Sequence, residues 1–199
     1  MNIAKTCKVI LIGDSSTGKT SIINTYINEH EEVRPTIGAS NSNVEKMING
    51  KKVRFQIWDT AGQEQYKSIL PLYFRNAVVV ICVYDITNEQ SFNDLNEYIQ
   101  MVHNNCQETT KIVIIGNKTD LEDERVVPFA KAEEYAKENN ALFYHETSKL
   151  NIDLIDFLFD KILDYLSEND KNEEEKKQVN NEINMNDGNM NNTEDKKCC

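Results

Sequence analysis

A chain of 199 residues, 39% of them apolar, falls within the size of one compact domain and can bury a substantial core. Thirty-three acidic residues against 22 basic ones leave a net charge of -11, which speaks against nucleic acid as a partner. Five cysteines, an odd number, with no apolar signal segment and no apolar run long enough to span a bilayer, argue for a reducing cytosolic setting and against a disulfide-stapled secreted fold.

The first element is a short apolar strand at 9–12, and it runs directly into the octapeptide GDSSTGKT at 13–20. Gly13, Gly18, Lys19 and Thr20 occupy the fixed places of the phosphate-binding pattern G-x-x-x-x-G-K-[ST], and the apolar spacing at 21–28 suits a helix, which completes the strand, loop and helix context. The glycines let the backbone curl so that successive N–H groups face phosphate oxygens, and the helix adds its positive end. Lys19 can reach β and γ phosphates, and Thr20 offers a hydroxyl to Mg²⁺. A glycine turn that merely joins a strand to a helix is the alternative for this segment alone.

Next, 44–48 and 53–57 flank Asn49-Gly50, the signature of a hairpin turn, so one edge strand is expected to be antiparallel. The second of these strands, with Val53, Phe55 and Ile57 alternating, ends in Asp59-Thr60-Ala61-Gly62-Gln63-Glu64. A carboxylate at that place can hold a metal through water, a glycine lets backbone approach a γ phosphate, and Gln63 can orient a water. Read in isolation, Asp59 is better taken as a strand-ending turn aspartate. Continuous apolar runs at 78–83 and 112–115 are the mark of strands covered on both faces. The second leads into Asn117-Lys118-Thr119-Asp120, where a carboxylate can accept two hydrogen bonds from a base with a ring N–H beside an exocyclic NH₂, as guanine has and adenine lacks. Alone, this short motif reads just as well as a polar turn. Helices are expected at 89–104, 128–138 and 152–166, with Pro128 in a first helical turn. From 169 the chain turns to Asn, Glu and Lys without aromatics, a composition that cannot bury enough apolar area to fold.

With these motifs in order, and with Arg34-Pro35-Thr36-Ile37-Gly38 and Glu146-Thr147-Ser148-Lys149-Leu150 in the places of two more, the chain resembles the Ras-like small GTPases over roughly residues 6–167; Ile57-Trp58 before DTAGQE, Tyr66, Val83-Tyr84-Asp85-Ile86-Thr87, Ser91-Phe92 and Cys198-Cys199 are similar to Rab proteins. Thr36-Ile37-Gly38-Ala39 and the run 84–89 look most like the early-endosomal subgroup. The resemblance implies an α/β P-loop GTPase fold, with a mostly parallel six-stranded sheet, one antiparallel edge strand and helices on both faces, over residues 1–168, followed by a disordered tail at 169–199. It implies that Gly13, Ser15, Ser16, Thr17, Gly18, Lys19, Thr20 and Ser21 hold the phosphates of GTP or GDP. Thr36, Asp59 and Gly62 would meet the γ phosphate and Mg²⁺, the metal falling to Thr20, Thr36 and Asp59. Asn117, Lys118, Asp120, Ser148 and Lys149 would hold the base, and Gln63 would be catalytic. It further implies effector, exchange, activating and prenyl-carrier proteins as partners in vesicular membrane traffic. Cys198 and Cys199 would both carry geranylgeranyl groups and anchor the protein to the cytoplasmic face of an intracellular membrane, two chains sufficing where one is marginal.

The departures bear on function. From Thr20 to Thr36 the first switch is about two residues shorter than the family's usual loop, and His30 is the nearest stand-in for the aromatic that covers the guanine face, although a histidine in an acidic loop is more often just solvated. Asn41 stands where a phenylalanine would join Trp58 and Tyr73, Gln65 replaces a common arginine, and Lys149-Leu150 replace Ala-Lys, although the backbone N–H of Lys149 can still face the guanine carbonyl. Trp58 and Tyr73 are equally consistent with half-buried packing. Lys196-Lys197 fall short of the roughly four to eight basic residues of a polybasic membrane patch. Cys7, Cys82 and Cys106 read as ordinary thiols. The leading reading is a hydrolysing switch; the alternative is a nucleotide-dependent binding module with little hydrolysis, and an ATP-using enzyme is disfavoured by Asn117 and Asp120.

Overall fold

Valine and isoleucine dominate the strands, and their burial tells where the layers lie. The computed structural model describes residues 5–27, 39–48, 50–60 and 64–168, so the expectations for His30, Thr36, Gly62, Gln63, Cys198 and Cys199 lie outside the described residues. Residues 1–160 group as one unit and 161–199 as another. The elements in chain order are β1 (Lys5–Ile12), α1 (Lys19–Tyr26), β2 (Ala39–Ile48), β3 (Lys51–Thr60), a 3-10 turn (Glu64–Ile69) running into α2 (Leu70–Tyr73), β4 (Ala77–Asp85), α3 (Glu89–Asn93), α4 (Leu95–Asn105), β5 (Lys111–Asn117), a second 3-10 turn (Thr119–Glu124), α5 (Phe129–Glu138), β6 (Phe143–Thr147) and α6 (152–168).

Six strands form one sheet in the order β2-β3-β1-β4-β5-β6. All neighbours pair in parallel except β2, which runs antiparallel to β3 at the edge. Ile48 opposite Lys51 closes that hairpin with a two-residue loop, and Gly50 takes φ +74° there, a conformation a hairpin turn of this length demands.

On one face Ile10, Ile12, Val80, Cys82, Tyr84, Ile112 and Ile114 join Leu95, Tyr98, Ile99, Val102, Ala132 and Ala136 in a single buried cluster, so α4 and α5 cover that side. The α4 residues recur at helical spacing, and Ala132 and Ala136, one turn apart, bring the α5 backbone close to the sheet. The alternate residues Val9, Leu11, Val79, Ile81, Val83, Val113 and Ile115 are fully buried on the other face, which α1 helps to cover through Ile22, Ile23 and Tyr26, with Tyr26 stacked on Phe159 at 3.8 Å. Helices on both faces of a mainly parallel sheet were the expected architecture, and it is the one found.

Boundaries differ in instructive ways. The helix expected at 89–104 divides at Asp94, whose carbonyl accepts from both Glu97 N–H at 3.1 Å and Tyr98 N–H at 3.3 Å, a tightened turn between α3 and α4. Pro128 is extended (φ -63°, ψ 141°) and stands just before α5 instead of inside its first turn. The first helix starts at Lys19, within the glycine motif, and ends at Tyr26.

Candidate functional site

Because β1, β3, β4, β5 and β6 are parallel, the chain leaves each of them at the same edge of the sheet. Residues 13–18, Asp59, Asp85, Asn117 and Thr147 all lie there, with Leu11 opposite Asp59, and Asn117 flanked by Asp85 and Thr147 in register. An open α/β sheet places ligands at that edge, outside the strand ends.

The loop after β1 is shaped by three left-handed residues. Gly13 (φ +139°) lies so close to β4 that a Cβ would come within 2.1 Å of the Val83 carbonyl oxygen. Ser16 (φ +63°) and Gly18 (φ +94°) turn the backbone inward, and such turns make concave nests of N–H groups suited to anions. Lys19 folds back across the loop, its ammonium donating to the carbonyls of Gly13 at 2.8 Å and Asp14 at 2.7 Å. Burial holds its pKa down, to about 8, against the opposing pull of Asp59 and Asp14. Thr17 Oγ1 donates to the Asp14 carbonyl at 2.9 Å, Ser15 and Ser16 are exposed, and Ser21 is half-buried. The Thr20 hydroxyl donates to Asp59 Oδ2 at 2.6 Å, so the hydroxyl and carboxylate expected at the metal do meet.

Further along this edge Asn117 acts as a staple. Its Nδ2 donates to the Thr17 carbonyl at 2.8 Å, and its Oδ1 accepts from Thr147 Oγ1 at 3.0 Å. Gly18 is necessary beside it, since a Cβ there would lie 2.2 Å from Asn117 Nδ2. Lys118 takes a left-handed φ of +71°, and its ammonium pairs with Asp85 at 2.6 Å. Asp120 Oδ1 accepts from Ser148 Oγ at 2.5 Å, and that oxygen in turn accepts from Leu150 N–H at 3.1 Å. Glycine loop, strand-end carboxylate and the 117–120 motif thus line one edge.

Residues 8–168 match the Ras family. Over 158 residues the chain is 38% identical to Ras-related protein RABA4a of Arabidopsis thaliana, covering 78% of this chain and 70% of that one. Over 157 residues it is 37% identical to Ras-related protein Rab5A of Oryza sativa subsp. japonica, covering 78% and 77%. The chain belongs to the Rab proteins of the Ras family. It is a small GTPase and binds guanine nucleotide. The two relatives carry different Rab designations at nearly equal identity, so they do not choose a subgroup.

Of the candidate residues, the loop 13–18, Asp59 and Asn117 lie at the sheet edge, Lys19, Thr20 and Ser21 open α1 beside it, and Thr36, Gly62 and Gln63 fall outside the described residues. Several supporting residues escaped the sequence reading. Thr147 stood inside a quoted motif but was given no role, and Asp85 likewise. Below them Tyr84 and Tyr144 hydroxyls meet at 2.9 Å, Tyr144 donates to Glu146 Oε1 at 2.6 Å, and Arg125 grips both Glu146 oxygens at 2.9 Å. The polar residues His145, Glu146 and Thr147 at the end of β6 were the available signal. Partly buried against the core cluster, the Trp58 and Tyr73 rings have centroids 5.6 Å apart, with Lys8 4.5 Å over the indole and Asn41 opposite Trp58 in register.

Proposed function

We propose that this Rab-family GTPase cycles between GTP and GDP with Mg²⁺, hydrolyses GTP through a water oriented by Gln63, and in the GTP state recruits effectors in vesicular membrane traffic. The observation that carries this reading is the Asn117 staple, because it joins the phosphate loop to the base-reading strand ends through one side chain. The left-handed turns at Gly13, Ser16 and Gly18 suit the loop to phosphate, Lys19 brings positive charge to it, and Asp120 supplies the carboxylate for guanine.

The donor chemistry fits Mg²⁺. Thr20 and Asp59 are hard oxygen donors, and among the described residues no group of three His, Cys, Asp or Glu forms a protein cage, which leaves the remaining places to water and phosphate, as Mg²⁺ prefers. Thr36 would complete the set. When bound, the ion neutralises phosphate charge. Ser148 holds the Asp120 carboxylate in place, and the backbone N–H of Lys149 would face the guanine carbonyl.

On this reading Cys198 and Cys199 are geranylgeranylated, a prenyl carrier moves the protein through cytosol, and exchange and activating proteins set its state on the cytoplasmic face of an intracellular membrane, an early endosomal one by its sequence details. Among the described residues no helix is long and apolar enough to cross a membrane, so lipid is the proposed anchor. Single-turnover GTP hydrolysis with and without an activating protein tests the core of this. A basal rate that neither an activating protein raises nor Gln63→Leu lowers would replace the reading by that of a binding module with little hydrolysis.

A further inference from the structure

Tyr98 sits on the buried side of α4 with 1% of its surface exposed, and its two ends meet two different segments. The hydroxyl donates to Asp14 Oδ1 at 2.9 Å. Asp14 is also the residue whose main-chain oxygen receives the Lys19 ammonium and the Thr17 hydroxyl, so fixing its side chain fixes the floor of the phosphate loop. The ring carries the Lys67 ammonium 4.8 Å from its centroid, and the same ammonium is paired with Glu97 Oε2 at 2.7 Å. Lys67 belongs to the turn Glu64–Ile69, which follows Gln63.

We propose that Tyr98 is a positioning residue that couples the phosphate loop to the segment after Gln63, its hydroxyl holding residue 14 while its ring holds Lys67. This rests on the reading that Lys19 and Gln63 act on GTP. A buried phenol needs a hydrogen-bond partner in any setting, so the Asp14 bond alone would be ordinary core chemistry. The double engagement is what gives it a role: a cation over the ring polarises the phenol and strengthens its donation to a carboxylate, and withdrawal of Lys67 weakens it. Burial and the neighbouring Asp94 raise the Asp14 pKa to about 6, so at neutral pH the acceptor is mainly the carboxylate and the bond is charge-assisted. A shift of Lys67 in the turn Glu64–Ile69 would thereby reach Lys19 through one side chain.

The test is a double-mutant cycle on the full chain with Tyr98→Phe, Lys67→Met and the pair, reading release of a fluorescent GDP and of a fluorescent non-hydrolysable GTP analogue in Mg²⁺, beside thermal stability. Tyr98→Phe keeps the ring, and Lys67→Met keeps the length of a side chain that is 19% exposed, so the melting curve of each variant shows whether it folds. Loss of one charge-assisted hydrogen bond is expected to speed release of the GTP analogue about five- to tenfold in Tyr98→Phe. Lys67→Met is expected to speed it about two- to fivefold, and the double variant to be no faster than Tyr98→Phe within about twofold. Effects that multiply independently, or a Tyr98→Phe protein that melts earlier with unchanged release rates, would overturn the coupling and leave Tyr98 a core residue. The cycle needs no turnover, so absence of hydrolysis in the wild type would fell the hydrolytic reading while the release rates still decide this one.

Discussion

Two glycines of the phosphate loop face different obstacles, and the difference has a measurable consequence. A Cβ on Gly13 would strike a backbone carbonyl of a central strand at 2.1 Å, and its φ of +139° is unfavourable to any side chain, so nothing nearby can yield. At Gly18 the obstacle at 2.2 Å is the end of the Asn117 side chain, which can move only by giving up its own hydrogen bonds. Gly13→Ala is therefore expected to cost about 3 kcal/mol or more and Gly18→Ala distinctly less in denaturant unfolding of the GDP-bound proteins. A reversed order would mean that Asn117, not β4, is the stiffer wall. Asp14 supports a pH experiment. Its carboxyl is raised from 3.8 to about 6, first by burial and then by Asp94, with Tyr98 opposing. Below the lower value it is protonated folded or unfolded; between the two, the folded state keeps a proton that the unfolded state has released, and this stabilisation is lost as pH rises through about 6. Asp14→Asn retains an acceptor for Tyr98 and cannot titrate. Its melting temperature is expected to fall less than the wild type's between pH 4 and pH 7, and parallel curves would remove Asp14 as the source.

At the scale of elements, what could be read from sequence divides along physical lines. β4 and β5 were legible because burial on both faces makes them continuous apolar runs, and the hairpin was legible because its turn requires a residue such as Gly50 at positive φ. The first half of β2, Ser40 to Asn43, was not, since these are poor strand formers held by pairing to Trp58, Ile57 and Gln56 of β3. The break at Asp94 was also invisible, because the apolar period runs on through Leu95, Tyr98 and Ile99. For the site, motif spacing gave the residue types at each strand end but not the bonds between them. The tie from Asn117 to Thr17 spans 100 positions, and only the parallel strand order brings the two together. That tie has its own test. Asn117→Ala leaves a buried carbonyl at Thr17 and a buried hydroxyl at Thr147 without this partner, each worth about 1–3 kcal/mol, so a loss near the sum of two modest penalties is expected together with faster GDP release. A loss of stability with GDP release unchanged would make the staple a matter of folding alone.

At the scale of the whole molecule, five strand ends contribute to one edge, so a nucleotide seated there touches loops that come from distant parts of the sequence and are tied to one another by few side chains, Asn117 among them. Binding to the folded state alone adds RT ln(1 + [L]/Kd), about 4 kcal/mol at a thousandfold excess over Kd, and a tight nucleotide therefore reports its fit as thermal stability of the entire domain. This turns base selectivity into a melting experiment. Asp120 presents a carboxylate already oriented by Ser148 at 2.5 Å, and two acceptor oxygens suit the ring N–H and exocyclic NH₂ of guanine. Asp120→Asn replaces one acceptor by a donor, which opposes guanine's NH₂ but faces the second carbonyl of xanthine favourably, while Ser148 can still donate to the remaining amide oxygen. In the variant, GDP is expected to lose most of its stabilising effect and xanthosine diphosphate to gain it, a crossover of at least tenfold in apparent affinity, or about 1.4 kcal/mol. Because phosphate loop and fold are untouched, the protein without nucleotide should melt as the wild type does. If GDP stabilised the variant as strongly as the wild type, Asp120 would not be reading the base, and guanine selectivity would have to come from the backbone around Ser148 and Lys149.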